Sequence, residues 1–336
     1  MKQMRDVQSP RPEAYDRARA ALDAAMVEPE STVVRPRRWL SWPKVSVAAL
    51  GAAAVVTAVV IGTTTGGGVP ANEPVAAPPA VDSPLVKLAS QVQAAGARTG
   101  DASLIIKSVV AKDGSPYTFY TVYTDNGQTF HGEKPSDVTA AVRKGQNQAT
   151  PFDAKVMEAA RLAADPANVD KARIAMMDPL GSKGLGLSPA EQDALWEKGY
   201  AEKSRSITEA GGQAPAPKPR PTGKEWENLL SNHLWSNSTY ALFIGAANPE
   251  VRAGVLNLLA TMPEAKVGKG EVDGQATLIL TGDASIQGGS GSHVVTIDAG
   301  TGLPIRSEVV PGTDKQSVAN YRSSRVNLGD VAAGKI

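Results

Sequence analysis

Apolar and polar positions along the chain follow several distinct rhythms, and each rhythm predicts a different kind of element. Near the start, "SPRPEAYDRARAALDAAM" carries Ser9 and two prolines ahead of a helical pattern. Proline is tolerated in a first helical turn, where its missing N–H would find no partner anyway, so a helix from about Pro12 to Met26 is predicted. Tyr15, Ala18, Leu22 and Ala25 recur at heptad spacing with Met26 beside them, while Asp16, Arg17, Arg19 and Asp23 take the other faces. One short amphipathic helix cannot bury its stripe alone, so these five residues are candidates for docking a partner helix; a solvated tether is the other reading.

The rhythm then stops. Val45 to Ile61 carries no charge. At about 1.5 Å per residue this run covers roughly 26 Å, the short end of what crosses a hydrocarbon core. No charged residue lies between Lys44 and Glu73, so Thr63 to Thr65 extend the run and a transmembrane helix is predicted over 45–65. Two alternatives compete. Arg37-Arg38 can be read as a twin-arginine pair ahead of a cleaved signal, with small-residue cleavage sites in "ANEPVAAPPA"; the high Ala and Gly content would also suit a buried core helix. The long leader before the run and its basic, tryptophan-flanked approach favour a retained anchor.

Beyond the span, "GGGVPANEPVAAPPAVDSP" is a spacer over 66–84 without apolar periodicity. From Leu85 the chain reads as a globular domain to Ile336. Leu85, Leu88 and Val92 share a helix face, "SLIIKSVV" and "YTFYTVYT" read as strands, and Asp125-Asn126-Gly127 marks a hairpin turn into "QTFHG". Helical sequence runs from Phe152 to Met177. "LSPAEQDALWEKGYAEK" opens with Ser188, Pro189 and Glu191 as a capping box. The alternating prolines of 211–223 suit an exposed polyproline II segment or a subdomain boundary. "NPEVRAGVLNLLATM" places Val251, Val255, Leu258, Leu259 and Met262 on one helix face after an Asn248-Pro249 start. "ATLILTG", "SHVVTID" and "IRSEVV" then alternate as strands, the last two joined by "AGTGLP". The fold class expected is α+β: a short cytoplasmic helix, one transmembrane helix, and an exported domain of antiparallel sheet and helices.

Charge supplies the topology. Arg35, Arg37, Arg38 and Lys44 stand just before the span, Trp39 and Trp42 lie where an aromatic belt anchors it, and no Lys or Arg follows until Lys87. By the positive-inside tendency the N-terminus, 1–44, is cytoplasmic and the domain 85–336 is extracytoplasmic. The whole chain, with 35 basic and 34 acidic residues, lacks the positive field of a direct nucleic-acid binder.

Composition narrows the chemistry further. There is no cysteine, which excludes thiol catalysis, cysteine zinc sites and disulfides. His131, His233 and His293 fall in separate segments without metal-ligand spacing. "GGSGSH" misses the G-x-S-x-G elbow, and "GSKGLG" lacks the spacing of a phosphate loop. Asn237-Ser238-Thr239 is formally a glycosylation sequon. No catalytic residue, metal or cofactor is expected.

The N-terminal helix, "RPRRW" with its Ala/Val span, "NPEVRAGVLNLLATMPEAKV" and "TIDAGTGLPIRSE" together resemble a family of actinobacterial single-pass membrane proteins. Members are often encoded beside extracytoplasmic-function sigma factors and regarded as their anti-sigma-like partners. The Met262-Pro263 step matches the family's helix end leading into a strand, and Asp298 to Pro304 its D-x-x-T-G-L-P loop. That hairpin is also similar to one in envelope-stress regulators related to lipoprotein carriers. The His-x3-Cys-x2-Cys signature of zinc anti-sigma domains is absent. The resemblance implies a regulator relaying an envelope signal to a cytoplasmic sigma factor or other helical protein. The alternative is a membrane-anchored binding or carrier module for an envelope ligand.

Overall fold

The computed structural model describes residues 83–96, 99–110, 115–214, 216–287, 291–310 and 317–336. Tyr15, Ala18, Leu22, Ala25 and Met26 lie outside the described residues. So do Arg35, Arg37, Arg38, Trp39, Trp42, Lys44, the 45–65 span and the spacer as far as residue 82. Among the described residues no helix is long and apolar enough to cross a membrane.

The first described element, α1 (Pro84–Ala94), starts on the last residue of the predicted spacer: Ser83 accepts from the Leu85 N–H and Pro84 occupies the first turn. Next comes the predicted meander, β1 (Ala102–Val110), β2 (Pro116–Thr124) and β3 (Thr129–Gly132), which turns at Asp125 to Gly127. Helices follow as α2 (Pro135–Arg143), α3 (Pro151–Leu162), α4 (Val169–Met177) and α5 (Pro189–Glu209). The helical stretch expected from Phe152 to Met177 is broken in the middle. Asp165 caps a single 3₁₀ turn over Pro166–Asn168, because proline cannot continue the hydrogen-bond ladder of α3.

The longest helix among the described residues, α6 (Gly223–Gly245), has no counterpart among the expected elements. Its buried surface is interrupted by Asn237, Ser238 and Thr239, which breaks the apolar stripe that would have betrayed it. Asn237 is 7% exposed and donates to the Met176 carbonyl at 2.7 Å, so the sequon is core structure here. Helix α7 (Pro249–Ala260) starts where predicted, with Asn248 accepting from Glu250 and Val251. It is buried almost all round instead of on one face: Ala253, Gly254, Leu256 and Asn257 join the expected residues inside. At Gly254 a Cβ would sit 1.7 Å from the Ala160 carbonyl oxygen of α3, so only glycine permits this crossing.

Five strands complete the domain: β4 (Ala265–Val272), β5 (Gln275–Gly282), β6 (Ser292–Asp298), β7 (Pro304–Val310) and β8 (Ser317–Val326), followed by α8 (Leu328–Ala332). The eight strands form one antiparallel sheet in the order β3-β2-β1-β8-β7-β6-β5-β4. The α+β class with antiparallel sheet is therefore observed. Two meanders meet where β1 pairs with β8, with Ile105 opposite Ser323 and Lys107 opposite Tyr321. One face packs Ile105, Tyr123, Leu278, Leu280, Val295, Ile297 and Tyr321 against α1, α6 and α7 in a single core. The other face carries a smaller core, in which Ala102, Leu104, Val122 and Phe130 meet Val138 and Ala141 of α2 and Val331 of α8.

Alternation along each strand separates these faces, as period-2 side-chain geometry requires. On β8 it sends Ala319, Tyr321, Ser323 and Arg325 to the large-core face, the side on which α1 and α7 lie.

Candidate functional site

The loop from β6 to β7 is organised by one carboxylate. Asp298 Oδ1 accepts from the Gly300 N–H at 3.1 Å, the Thr301 N–H at 2.5 Å and the Thr301 hydroxyl at 2.6 Å, while Oδ2 accepts from Gln275 at 2.6 Å. Burial works against its charge, but these donors win and hold the carboxyl below its ordinary value. Gly302 then takes φ +69°, and a Cβ there would lie 3.1 Å from Leu256 and 3.4 Å from the Arg252 stem. The D-x-x-T-G-L-P pattern is thus a capped turn whose glycine lets the loop approach α7 closely.

Helix α7 brings Arg252 to the same place. Its guanidinium donates to the Ala246 carbonyl just before the helix start. From the far side comes Arg325 of β8, only 5% exposed, which forms an ion pair with Asp125 and donates to the Gly100 carbonyl at 2.8 Å. Asp125 also accepts from Asn248 at 2.8 Å. Burial raises the Asp125 carboxyl's affinity for a proton, but bonds to Arg325 and Asn248 and the charges of Arg325 and Arg161 outweigh it and keep the group ionised.

Between these parts lies a cavity of about 110 Å³. Its walls are Gln91 and Val92 of α1 with Ala95 and Gly96 beyond it, Ala247, Pro249 and Arg252, Gly300, Thr301 and Leu303, and Ser323 to Arg325. In the residues of this wall, Ser323 Oγ and Arg325 Nε are buried without a hydrogen-bond partner. Unpaired buried donors are rare and call for an explanation.

A second polar group, under α6, invites a catalytic reading and refuses it on inspection. Ser307 Oγ lies 2.8 Å from His293 Nε2, a distance at which a histidine could activate a serine. However, the Trp235 indole N–H donates to His293 Nδ1 at 2.9 Å. An indole is a donor only, so Nδ1 must be the lone-pair nitrogen and Nε2 carries the hydrogen. The imidazole therefore donates to Ser307 and has no free base to take its proton. Burial holds the imidazole's proton affinity down, and Trp235 and Phe243 rings surround it.

None of the expected partner-binding or anchoring residues can be placed, since all lie outside the described residues. His131 stacks on Phe119, with ring centroids 5.5 Å apart, and bonds Thr121. Among the described residues no group of three or more His, Asp or Glu side chains is placed to hold a metal ion. The sequence reading missed Arg252, Ser323 and Arg325 as site residues. "NPEVR" and "DAGTGLP" were visible as motifs, but nothing local in "NYRSSR" says that β8 sits beside them. No protein-family model, curated protein or solved structure matches the chain.

Proposed function

We propose that the protein is a single-pass membrane regulator whose extracytoplasmic domain reads a small ligand at the α1–α7–β8 cavity and relays occupancy through α1 to the N-terminal segment. One observation carries this reading. The loop "DAGTGLP", one of the two motifs on which the family resemblance rests, lines the cavity beside the start of α7, and α1, the element directly joined to the spacer, supplies another part of its wall. A ligand touching Gln91 and Val92 bears on the helix nearest in sequence to the span. A population shift needs only a ligand that binds two arrangements of such a helix with different affinity.

The size of the cavity weighs against the carrier alternative. Trp235, Leu242, Leu256 and Leu258 fill the space between helices and sheet. A volume of about 110 Å³ is far below the roughly 300 to 1,000 Å³ of sites that enclose larger ligands. The hydrogen-bonding pattern at His293 likewise favours a binding module over a serine hydrolase.

On this reading residues 1–44 bind a cytoplasmic helical protein, a sigma factor in the anti-sigma version, through Tyr15, Ala18, Leu22, Ala25 and Met26. Arg35, Arg37, Arg38, Trp39, Trp42 and Lys44 set the N-in topology. The test is capture from the native host by the full chain in membranes, wild type beside Leu22→Asp. Burying one leucine is worth roughly 1.5 to 3 kcal/mol, so the variant should hold a genuine partner at least about tenfold less well. Equal capture by both, or none by either, would remove the regulatory role.

A further inference from the structure

We infer that β4, one edge of the sheet, pairs with β4 of a second copy of this chain in a single antiparallel register, so that two domains share one continuous sheet. The two edges of the eight-stranded sheet differ. At the β3 edge the Thr129 N–H donates to the Asn147 side chain at 2.9 Å, the His131 N–H to the Gln148 side chain at 2.7 Å, and the Thr129 carbonyl accepts from the Gln148 N–H at 2.8 Å. That edge is sealed. At the β4 edge such a partner reaches only the first residue, whose N–H donates to the Met262 carbonyl at 3.2 Å. Among the described residues nothing caps the outward backbone groups after Ala265, and a row of this kind is a template for another strand.

The hairpin turn fixes which groups face outward. Asp273 and Gly274 take φ +52° and +80°, the two positive angles of a type I′ turn, and Val272 pairs with Gln275. In a two-residue hairpin that closing pair is hydrogen-bonded, and bonded and non-bonded pairs alternate away from it. Val272, Gly270 and Gly268 therefore spend their backbone groups on β5, while Glu271, Lys269 and Val267 turn theirs to the edge. Ala276, opposite Glu271, has the matching parity: its carbonyl accepts from the Ala299 N–H, on the β6 side, at 3.0 Å.

Side chains select the register. Two copies of one strand pair antiparallel about a two-fold axis normal to the sheet, which keeps every side chain on its own face, so odd positions oppose odd and even oppose even. Centring the axis on Lys269 or on Glu271 sets like charges against each other, and centring it on Gly268 sets Lys269 against Val267. Centred on Gly270, Lys269 of each copy opposes Glu271 of the other, an opposite-charge pair formed twice. Both residues are exposed and form no ion pair within their own chain. On the opposite face the same register sets Val272 of one copy beside Gly268 of the other, where the missing side chain leaves room next to Ile279. Edge lysines ordinarily discourage pairing, and here Lys269 discourages the registers that leave it unmatched.

The experiment follows the full chain in detergent micelles by sedimentation velocity across a concentration series, where a reversible dimer is expected. Lys269→Glu and Glu271→Lys each replace two opposite-charge pairs by two like-charge pairs and should weaken the dimer about tenfold or more. Mixing these two variants makes every cross-strand pair opposite in sign again, so a heterodimer of about wild-type strength is expected. The doubly swapped chain should likewise regain its homodimer. Both positions are exposed, so the melting temperature should barely move.

A second readout uses the absence of cysteine from the sequence. The two copies of residue 270 face each other as a non-hydrogen-bonded pair, with Cα atoms about 4.5 Å apart, within disulfide reach. Gly270→Cys should therefore give a covalent dimer on mild oxidation, and Lys266→Cys, far from its own copy in this register, should not. A monomer at all concentrations would overturn the inference and leave the edge to a strand of another protein. So would a dimer indifferent to both charge reversals, which would place the contact elsewhere in the chain, or equal cross-linking through positions 266 and 270.

Discussion

Arg325 and Asp125 are 200 residues apart in the chain and joined by two side-chain hydrogen bonds, Arg325 Nη1 meeting Asp125 Oδ1 at 2.9 Å and Nη2 meeting Oδ2. The contact ties the end of β8 to the β2–β3 turn across β1, and through Asn248 it ties both to the start of α7. Arg325 is almost fully enclosed, so its partner cannot be removed without leaving a buried cation short of charge. Asp125→Ala should therefore cost about 2 to 3 kcal/mol, somewhat below the usual figure for a fully buried pair because Asp125 itself is 40% exposed. Urea unfolding at neutral pH checks it; a change under about 0.5 kcal/mol would mean that the tie is ornamental.

Glycine substitutions on two helices should have opposite signs. Gly254→Ala pushes a methyl into the Ala160 carbonyl of α3 and must separate α3 from α7, with an expected loss of about 3 kcal/mol or more. Gly199→Ala on α5 meets nothing within 4 Å and should stabilise by about 0.5 to 1 kcal/mol through helix propensity. Thermal melts of the two variants beside wild type give the comparison directly.

Stability should fall as the solution is acidified below neutrality. Burial lowers the proton affinity of His131, His233 and His293 in the folded state, most simply for His293, which has no opposing charge. The unfolded chain protonates these groups near pH 6.5, so it binds more protons than the folded chain just below that value. By linkage the stabilisation is fully present above about pH 6.5 and is lost as pH falls toward the depressed folded-state values. His293→Gln can still accept from Trp235 and donate to Ser307, and it should flatten this dependence. Denaturation midpoints between about pH 7.5 and 5.5 decide; an unchanged slope would place the proton uptake elsewhere.

Helix α5 should behave as a locally opening unit. Gln192 is its only buried residue, and its exposed length is held by the proline-rich segment: Trp196 donates to the Lys218 carbonyl at 3.0 Å and Tyr200 to the Ala216 carbonyl at 2.5 Å. Arg220 closes the contact by pairing with Asp193 at 2.7 Å and lying over the Trp226 ring. Trp196→Ala should raise amide exchange along 196–209 by about tenfold while the melting temperature moves little. A large fall in melting temperature would instead make α5 part of the global folding unit.

Much of the local structure was legible because its causes are local. The alternation of "YTFYTVYT", the Asp125-Asn126-Gly127 turn, the Ser188–Glu191 capping box and the Asn248-Pro249 start each depend on neighbours a few residues away, and each appears where the pattern put it. Helix α6 escaped because its buried Asn237, Ser238 and Thr239 find partners within the fold, as Asn237 does at Met176. Polar residues satisfied in this way erase the apolar period that marks a helix.

What the sequence by itself determined is the first helix, the β1–β3 meander, the starts of α5 and α7, the strands β5 to β7, the absence of thiol chemistry, and the turn built by Asp298, Thr301 and Gly302. The tertiary structure alone decided that β8 joins two meanders at β1, and that Gln91, Arg252, Thr301, Ser323 and Arg325 line one cavity. The reason is physical. Capping, turns and alternation are set by hydrogen bonds and sterics within one or two turns of chain, whereas a pocket is set by which faces pack. Arg325 became a site residue only because Asp125, 200 positions earlier, holds it there.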